Sequence, residues 1–79
     1  MKATVLVRPK HGILDPQGEA VETALEHLGF SVAGVRVGKT VDIELDVTDP
    51  AEARAQVEQM CEQLLANPLM ESYEVEIHG

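Results

Sequence analysis

The sequence has no tryptophan, one tyrosine, one phenylalanine and one cysteine among its 79 residues. With Cys61 as the only thiol, no internal disulfide forms and no cysteine-rich four-ligand zinc site can be assembled, and a reducing compartment suits the chain. With only Phe30 and Tyr73, nucleic-acid readers that stack bases on aromatic platforms have no counterpart here. Basic charge is scarce too: 6 Lys+Arg stand against 14 Asp+Glu, for a net charge of −8. Such a balance works against capture of a nucleic-acid backbone or an anionic membrane, so neither is expected as a partner. No stretch approaches the roughly 20 apolar residues of a membrane span, and the start from Met1 to Val7 is too short an apolar run for a secretory leader. A cytoplasmic protein is expected. A chain this short buries only roughly 60 to 65% of the surface its unfolded form exposes. Residues 1–79 therefore read as a single domain whose thin stability margin a second subunit would supplement.

What is present is mostly alternation and caps. Lys2 to Arg8 alternates Ala3, Val5, Val7 with Lys2, Thr4, Arg8, the period of a half-buried strand, with Leu6 on the polar side. Asp15-Pro16 supplies an N-cap followed by proline at the first helical position, and Ala20, Val21, Ala24, Leu25 and Leu28 recur at helical spacing up to Gly29. Phe30 to Val37 has strand composition with a parity shift, which a bulge at Gly34 would reconcile. After a reversal at Val37-Gly38-Lys39, Val41, Ile43, Leu45 and Val47 alternate with Asp42, Glu44 and Asp46. Asp49-Pro50-Ala51-Glu52 repeats the cap-and-proline device, and Ala53, Val57, Met60, Cys61 and Leu64 form the apolar stripe of a second helix, closed by Asn67-Pro68. Tyr73, Val75 and Ile77 then alternate with Ser72, Glu74 and Glu76.

The order β-α-β-β-α-β predicts an α+β domain of ferredoxin-like type: a four-stranded antiparallel sheet, spatial order 4-1-3-2, with both helices on one face. Right-handed crossovers then bring three connections to one end of the domain: 8–14, 36–40 and 66–71. The first two carry Arg8, Lys10, Arg36 and Lys39, in a sequence whose first 40 residues hold 5 of the 6 basic groups. The carboxylates of strands three and four line the uncovered sheet face instead. One end is cationic and one face anionic, which makes that face costly to bury against a second copy; association through strand edges or the loop end is expected.

Catalytic material is poor. Cys61 lies on the apolar stripe, where a small buried thiol is the simpler account, and His11, His27 and His78 fall on three separate parts of the chain. Asp42, Glu44 and Asp46 line one side of a strand about 7 Å apart, but match no calcium loop and read as a solvated face. The 10–18 loop enters a helix N-terminus yet has neither a P-loop nor a dinucleotide fingerprint. Ile13 and Leu14, apolar on a short polar loop, point to a contact surface.

Four segments together carry a resemblance: Lys10-x-Gly-Ile-Leu-Asp-Pro-Gln-Gly18, Ala24-Leu25-x-x-Leu28-Gly29-Phe30, Val35-Arg36-Val37-Gly38-Lys39, and Asn67-Pro68-x-x-Glu71-x-Tyr73-Glu74-Val75. They resemble the PurS subunit of phosphoribosylformylglycinamidine synthase over essentially the whole chain. The resemblance implies a subunit without an active site of its own, acting as a dimer, with assembly to a tetramer left open. It would join a PurL synthetase to a PurQ glutaminase in de novo purine synthesis. In that enzyme formylglycinamide ribonucleotide, glutamine and ATP become formylglycinamidine ribonucleotide, glutamate, ADP and phosphate. ATP and magnesium would be used by the synthetase, with no cofactor on this chain, and the small subunit would help protect the ammonia path. Carried over motif by motif, the implied partner-contact residues are Lys10, Gly12, Ile13, Leu14, Asp15, Gln17, Arg36, Lys39, Asn67 and Glu71, with Gly38 shaping the hairpin. The competing reading is an ACT-like regulatory domain of similar strand order that binds a small effector; a further rival is an enzyme using Cys61 or the acidic strand.

Overall fold

The central strand β1 (Lys2–Pro9) is flanked by β2 (Lys39–Glu44) and β3 (Glu71–His78), both antiparallel to it, in the order β2-β1-β3. These coordinates are a computed structural model that describes residues 1–10 and 15–79. Helix α1 (Pro16–His27) connects β1 towards β2, and α2 (Pro50–Met60) runs into a π-helical turn, Cys61–Leu65, before β3.

Register sorts the two sheet faces. The rows Ile43, Ala3, Ile77 and Val41, Val5, Val75 face the helix side, with Tyr73 beside Val7. Ala3, Val5 and Val7 are fully buried there under Val57, Cys61 and Ala66, and Val41, Ile43, Leu45, Val75 and Ile77 pack around them half-covered. The opposite face carries Glu44, Lys2, His78 in one row and Asp42, Thr4, Glu76 in the next. Thr4 Oγ1 donates to Asp42 Oδ1 at 3.0 Å and lies 3.1 Å from His78 Nε2, which in turn sits 3.9 Å from a Glu76 oxygen. Pairing continues past β2, since the Leu45 N–H donates to the Met1 carbonyl at 2.8 Å and the Met1 amino group to the Leu45 carbonyl at 3.2 Å.

The fold differs from the sequence-based expectation in three respects. Among the described residues the sheet has three strands, not four: the expected second strand, Phe30 to Val37, joins no ladder. Its polar groups are taken elsewhere. The Phe30 N–H closes the end of α1 on the Leu25 carbonyl at 3.0 Å, and the Val37 N–H goes to Asp15 Oδ2 at 2.9 Å. The segment therefore follows α1, and the parity shift at Gly34 denies it the single apolar face a paired strand presents. Second, α2 packs on the sheet through β3, whereas α1 has no comparable packing on any strand; one helix, not two, covers the face.

Third, the apolar stripe of α2 does not end on Leu64. The Ala66 N–H donates to the Cys61 carbonyl five residues back, at 3.0 Å, and that wider turn advances the side chains by one position. Leu65 and Ala66 go inward, and Leu64 is left 83% exposed. The turn is tied to β3 by Tyr73, whose hydroxyl donates to Glu62 Oε1 at 2.7 Å and is thereby pushed up to about 12. Both helices open as their sequences predict: Asp15 accepts from the Gly18 N–H at 3.0 Å and Asp49 from the Glu52 N–H at 3.4 Å, each before a proline in the first turn.

Candidate protein-docking site

Lys10 fastens three separate stretches of chain at one end of the sheet. Its N–H donates to the Met70 carbonyl at 2.9 Å, its ammonium to the Pro68 carbonyl at 2.6 Å, and its own carbonyl accepts from Arg36 Nη2 at 2.8 Å. The turn after the π helix is built by Asn67 and Glu71. Glu71 Oε1 accepts from the Asn67 N–H at 2.8 Å, Asn67 Oδ1 from the Leu69 N–H at 3.1 Å, and the Asn67 carbonyl from the Glu71 N–H at 2.7 Å. An asparagine two residues before the N–H it binds is an Asx turn, which explains Asn67-Pro68 at a chain reversal.

Asp15 performs a similar double task at the root of α1. One carboxylate oxygen takes Gly18 of the helix and the other takes Val37 of the returning segment. The Val37 N–H, then Gly18, then the Arg36 guanidinium nearby hold the Asp15 carboxyl below its ordinary value. Gly18 is required by close approach, because a Cβ there would collide with the Val35 carbonyl oxygen and with Asp15 itself. Gly38 is under the same constraint against the Val7 carbonyl oxygen.

Two open concavities result. One, about 550 Å³, lies between β1 and the start of β2 and is lined by Arg8, Arg36, Gly38 and Lys39 beside apolar Leu6 and Val7. The smaller, about 270 Å³, is lined by Asp15, Gln17, Val37, Asn67, Met70 and Glu71. The structure thus brings Lys10, Asp15, Gln17, Arg36, Gly38, Lys39, Asn67 and Glu71 to one pole; Gly12, Ile13 and Leu14 lie outside the described residues. Sequence reasoning passed over Leu69, 83% exposed, and Met70, whose carbonyl takes Lys10, at the same pole. The signal was available: an apolar pair on a short polar turn, the criterion that singled out Ile13 and Leu14. Gly18 was missed as well, though glycine within a helical first turn is unfavourable enough to ask for a reason.

Cys61 is fully buried, and burial first, with Glu62 and Glu58 after it, pushes its thiol up, the reverse of what activates a nucleophile.

Asp15 carries a pH-dependent test. A carboxyl lowered by native hydrogen bonds contributes stability that is present above the unfolded pKa, ordinarily 3.8, and is lost as pH falls through the lower folded value. Asp15→Asn has one acceptor for two N–H donors, so its melting temperature at pH 7 falls by several degrees. Calorimetry from pH 6 to pH 2.5 should show the gap to the unaltered chain closing below about pH 3.8; a pH-independent gap would assign the loss to something other than the carboxylate.

The sheet and helices define a small α+β protein of ferredoxin-like type in which one helix stands off the sheet. Residues 2–79 match the family PurS, phosphoribosylformylglycinamidine (FGAM) synthase, and the chain belongs to that family. It is 45% identical over 74 residues to the PurS subunit of phosphoribosylformylglycinamidine synthase from Synechocystis, covering 92% of this chain and 72% of that one. Among solved structures, Bacillus subtilis PurS superposes with a TM-score of 0.88 at 38% identity, covering 99% of this chain and 98% of the other. PurLQS from Thermotoga maritima contains a chain that matches with a TM-score of 0.84 at 36% identity, over 95% of this chain and 93% of that one. These matches give the ACT-like reading no support.

Proposed function

We infer that this chain works as the structural small subunit that joins the PurL synthetase to the PurQ glutaminase, with paired copies forming the working unit. Ammonia released from glutamine on one partner then reaches the other without loss to solvent. The observation that carries the reading is the convergence of three connections on Lys10. Their cations and the exposed apolar Leu69 and Met70 lie at the same pole, a mixture of the kind a protein partner buries. Membership in the PurS family and the likeness to a chain of Thermotoga maritima PurLQS support the choice of partners. Lys10, Asp15, Gln17, Arg36, Lys39, Asn67 and Glu71 make the contacts in this reading, as do Gly12, Ile13 and Leu14, and Gly38 sets the hairpin. In this reading ATP and magnesium are used by the synthetase partner.

Reconstitution tests it. With purified synthetase and glutaminase, conversion of formylglycinamide ribonucleotide driven by glutamine requires this chain, while conversion driven by added ammonium salt does not. Full glutamine-driven turnover in its absence would overturn the assignment.

A further inference from the structure

The short connection between the π-helical turn and β3 carries an apolar side chain that the fold does not use. Leu69 is 83% exposed and Met70, next to it, 48%. A single apolar side chain in solvent is ordinary, and Leu64, equally exposed, owes its position to the frame shift of the π turn. Leu69 differs in what holds it. Asn67 takes three successive N–H groups: its side-chain oxygen that of Leu69, and its carbonyl those of Met70 and Glu71. Glu71 Oε1 accepts from the Asn67 N–H in return, and Pro68 has no N–H to place, so every N–H from Asn67 to Glu71 is bonded within the turn. From outside, Lys10 takes the carbonyls on either side of Leu69, that of Pro68 with its ammonium and that of Met70 with its N–H.

These bonds fix where Leu69 stands. Ala66 before the turn is buried in the core cluster and Glu71 after it pairs with Pro9 of β1, so both ends are held to the sheet and the tip does not fold inward. The turn draws on the N–H of Leu69, which any residue but proline offers, and leaves the side chain without a task inside the chain. A tip that is already ordered loses little freedom when it is bound, and that loss is one of the main costs of association. Charge surrounds it on the Lys10 side: the ammonium sits on the carbonyl of the preceding residue, and the Arg36 guanidinium donates to the Lys10 carbonyl.

We propose that Leu69 is the apolar anchor of the docking pole, inserted with Met70 beside it into an apolar socket of a partner protein whose rim carries carboxylates. A protein fits better than a lipid surface, because a chain of net charge −8 is repelled by anionic membranes, while an apolar centre with a polar, charged surround is the anatomy of a protein interface. The proposal deepens the functional reading, whose partners are the synthetase and the glutaminase, and rests on it.

Sedimentation titrations of the full chain against the purified synthetase and glutaminase test it. Leu69→Ala should weaken binding at least about tenfold, the burial of its lost methyl and methylene groups. Leu69→Asp, which sets a charge in the socket and against its acidic rim, should weaken it at least about a hundredfold. Leu69→Met keeps size and apolarity and should bind within about threefold of the unaltered chain. With the side chain in solvent, the melting temperatures of all three should stay within about 4 °C of the original. Undiminished binding by Leu69→Asp overturns the anchor, and so does a variant that keeps its partners but loses mass in light scattering, since the occupant is then a second copy. Should a variant not fold, hydroxyl-radical footprinting of the unaltered chain decides: Leu69 and Met70 become protected when the partners are added, and unchanged oxidation overturns the proposal. Glutamine-driven turnover that ignores this chain, with binding still lost in Leu69→Asp, would remove the bridging role alone; turnover that needs the chain but tolerates Leu69→Asp would remove the anchor alone.

Discussion

Charge reversal at the pole, Arg36→Glu with Lys39→Glu, lowers glutamine-driven turnover of the reconstituted subunits by about a hundredfold and leaves ammonium-driven turnover unchanged. Both side chains line the 550 Å³ concavity with Arg8, on a molecule whose overall net charge is −8, so in the proposed reading this cleft would draw in an acidic partner surface. Two cations replaced by two anions change the local charge by four units, and like charges set against one another across an interface cost several kcal/mol. Raised salt should therefore weaken assembly of the unaltered chain and partly relieve the variant, because screening acts over about 8 to 10 Å. Arg36 has a second task, since its guanidinium donates to the Lys10 carbonyl that ties the three connections. The single variant Lys39→Glu separates the two, for it leaves that bond in place and should retain the fold and show the salt-sensitive loss at smaller size. Unchanged co-purification and turnover for the double variant would reject the pole as the docking surface.

The parts of the fold that could be read from the sequence are those decided locally. Asp15-Pro16 and Asp49-Pro50 are helix starts because cap and proline act within one turn, and both helices open there. Strand alternation around Val5, Val41 and Val75 is equally local, and the three strands pair in one register across β1. The errors come from choices made over longer range. Phe30 to Val37 has strand composition, yet whether it pairs depends on where the Val37 N–H goes, and the acceptor is Asp15, 22 positions away in the chain. Helical periodicity carried the α2 stripe to Leu64, but the turn that shifts the frame is set by tertiary packing around Cys61 and Ala66.

The candidate site was legible for a different reason. The expected topology puts the end of the first strand and the starts of the last two at one pole, and the antiparallel pairing of β1 with β2 and β3 keeps that arrangement although 30–37 joins no ladder. That is how Lys10, Arg36 and Asn67 could be grouped before any contact between them was known. The same reasoning could not supply Lys10 as the fastening residue, because its partners are the backbone carbonyls of Pro68 and Met70, which carry no side-chain signature in the sequence.

The shifted frame of the second helix gives the largest expected stability effect. Val57→Ala removes a fully buried side chain from the cluster beneath β1, which costs about 2 kcal/mol once the lost burial and the residual cavity are counted. For a domain of this size that is a large share of a total near 5 kcal/mol, and the melting temperature should fall by about 8 °C or more. Leu64→Ala is the informative companion. In an uninterrupted α-helix Leu64 would lie one turn beyond Cys61 on the same inward face, and its truncation would cost as much as Val57→Ala. With the π turn in place Leu64 is 83% exposed, and the loss stays within about 0.5 kcal/mol. Leu65→Ala, by the same logic, destabilises measurably, since the wider turn carries Leu65 against the buried cluster. Denaturant unfolding of the three variants, at one protein concentration so that self-association contributes equally, ranks them Val57 above Leu65 above Leu64. A large loss at Leu64 with none at Leu65 would mean that the helix runs on in α register, and the Ala66 bond to Cys61 would have to be discarded with it.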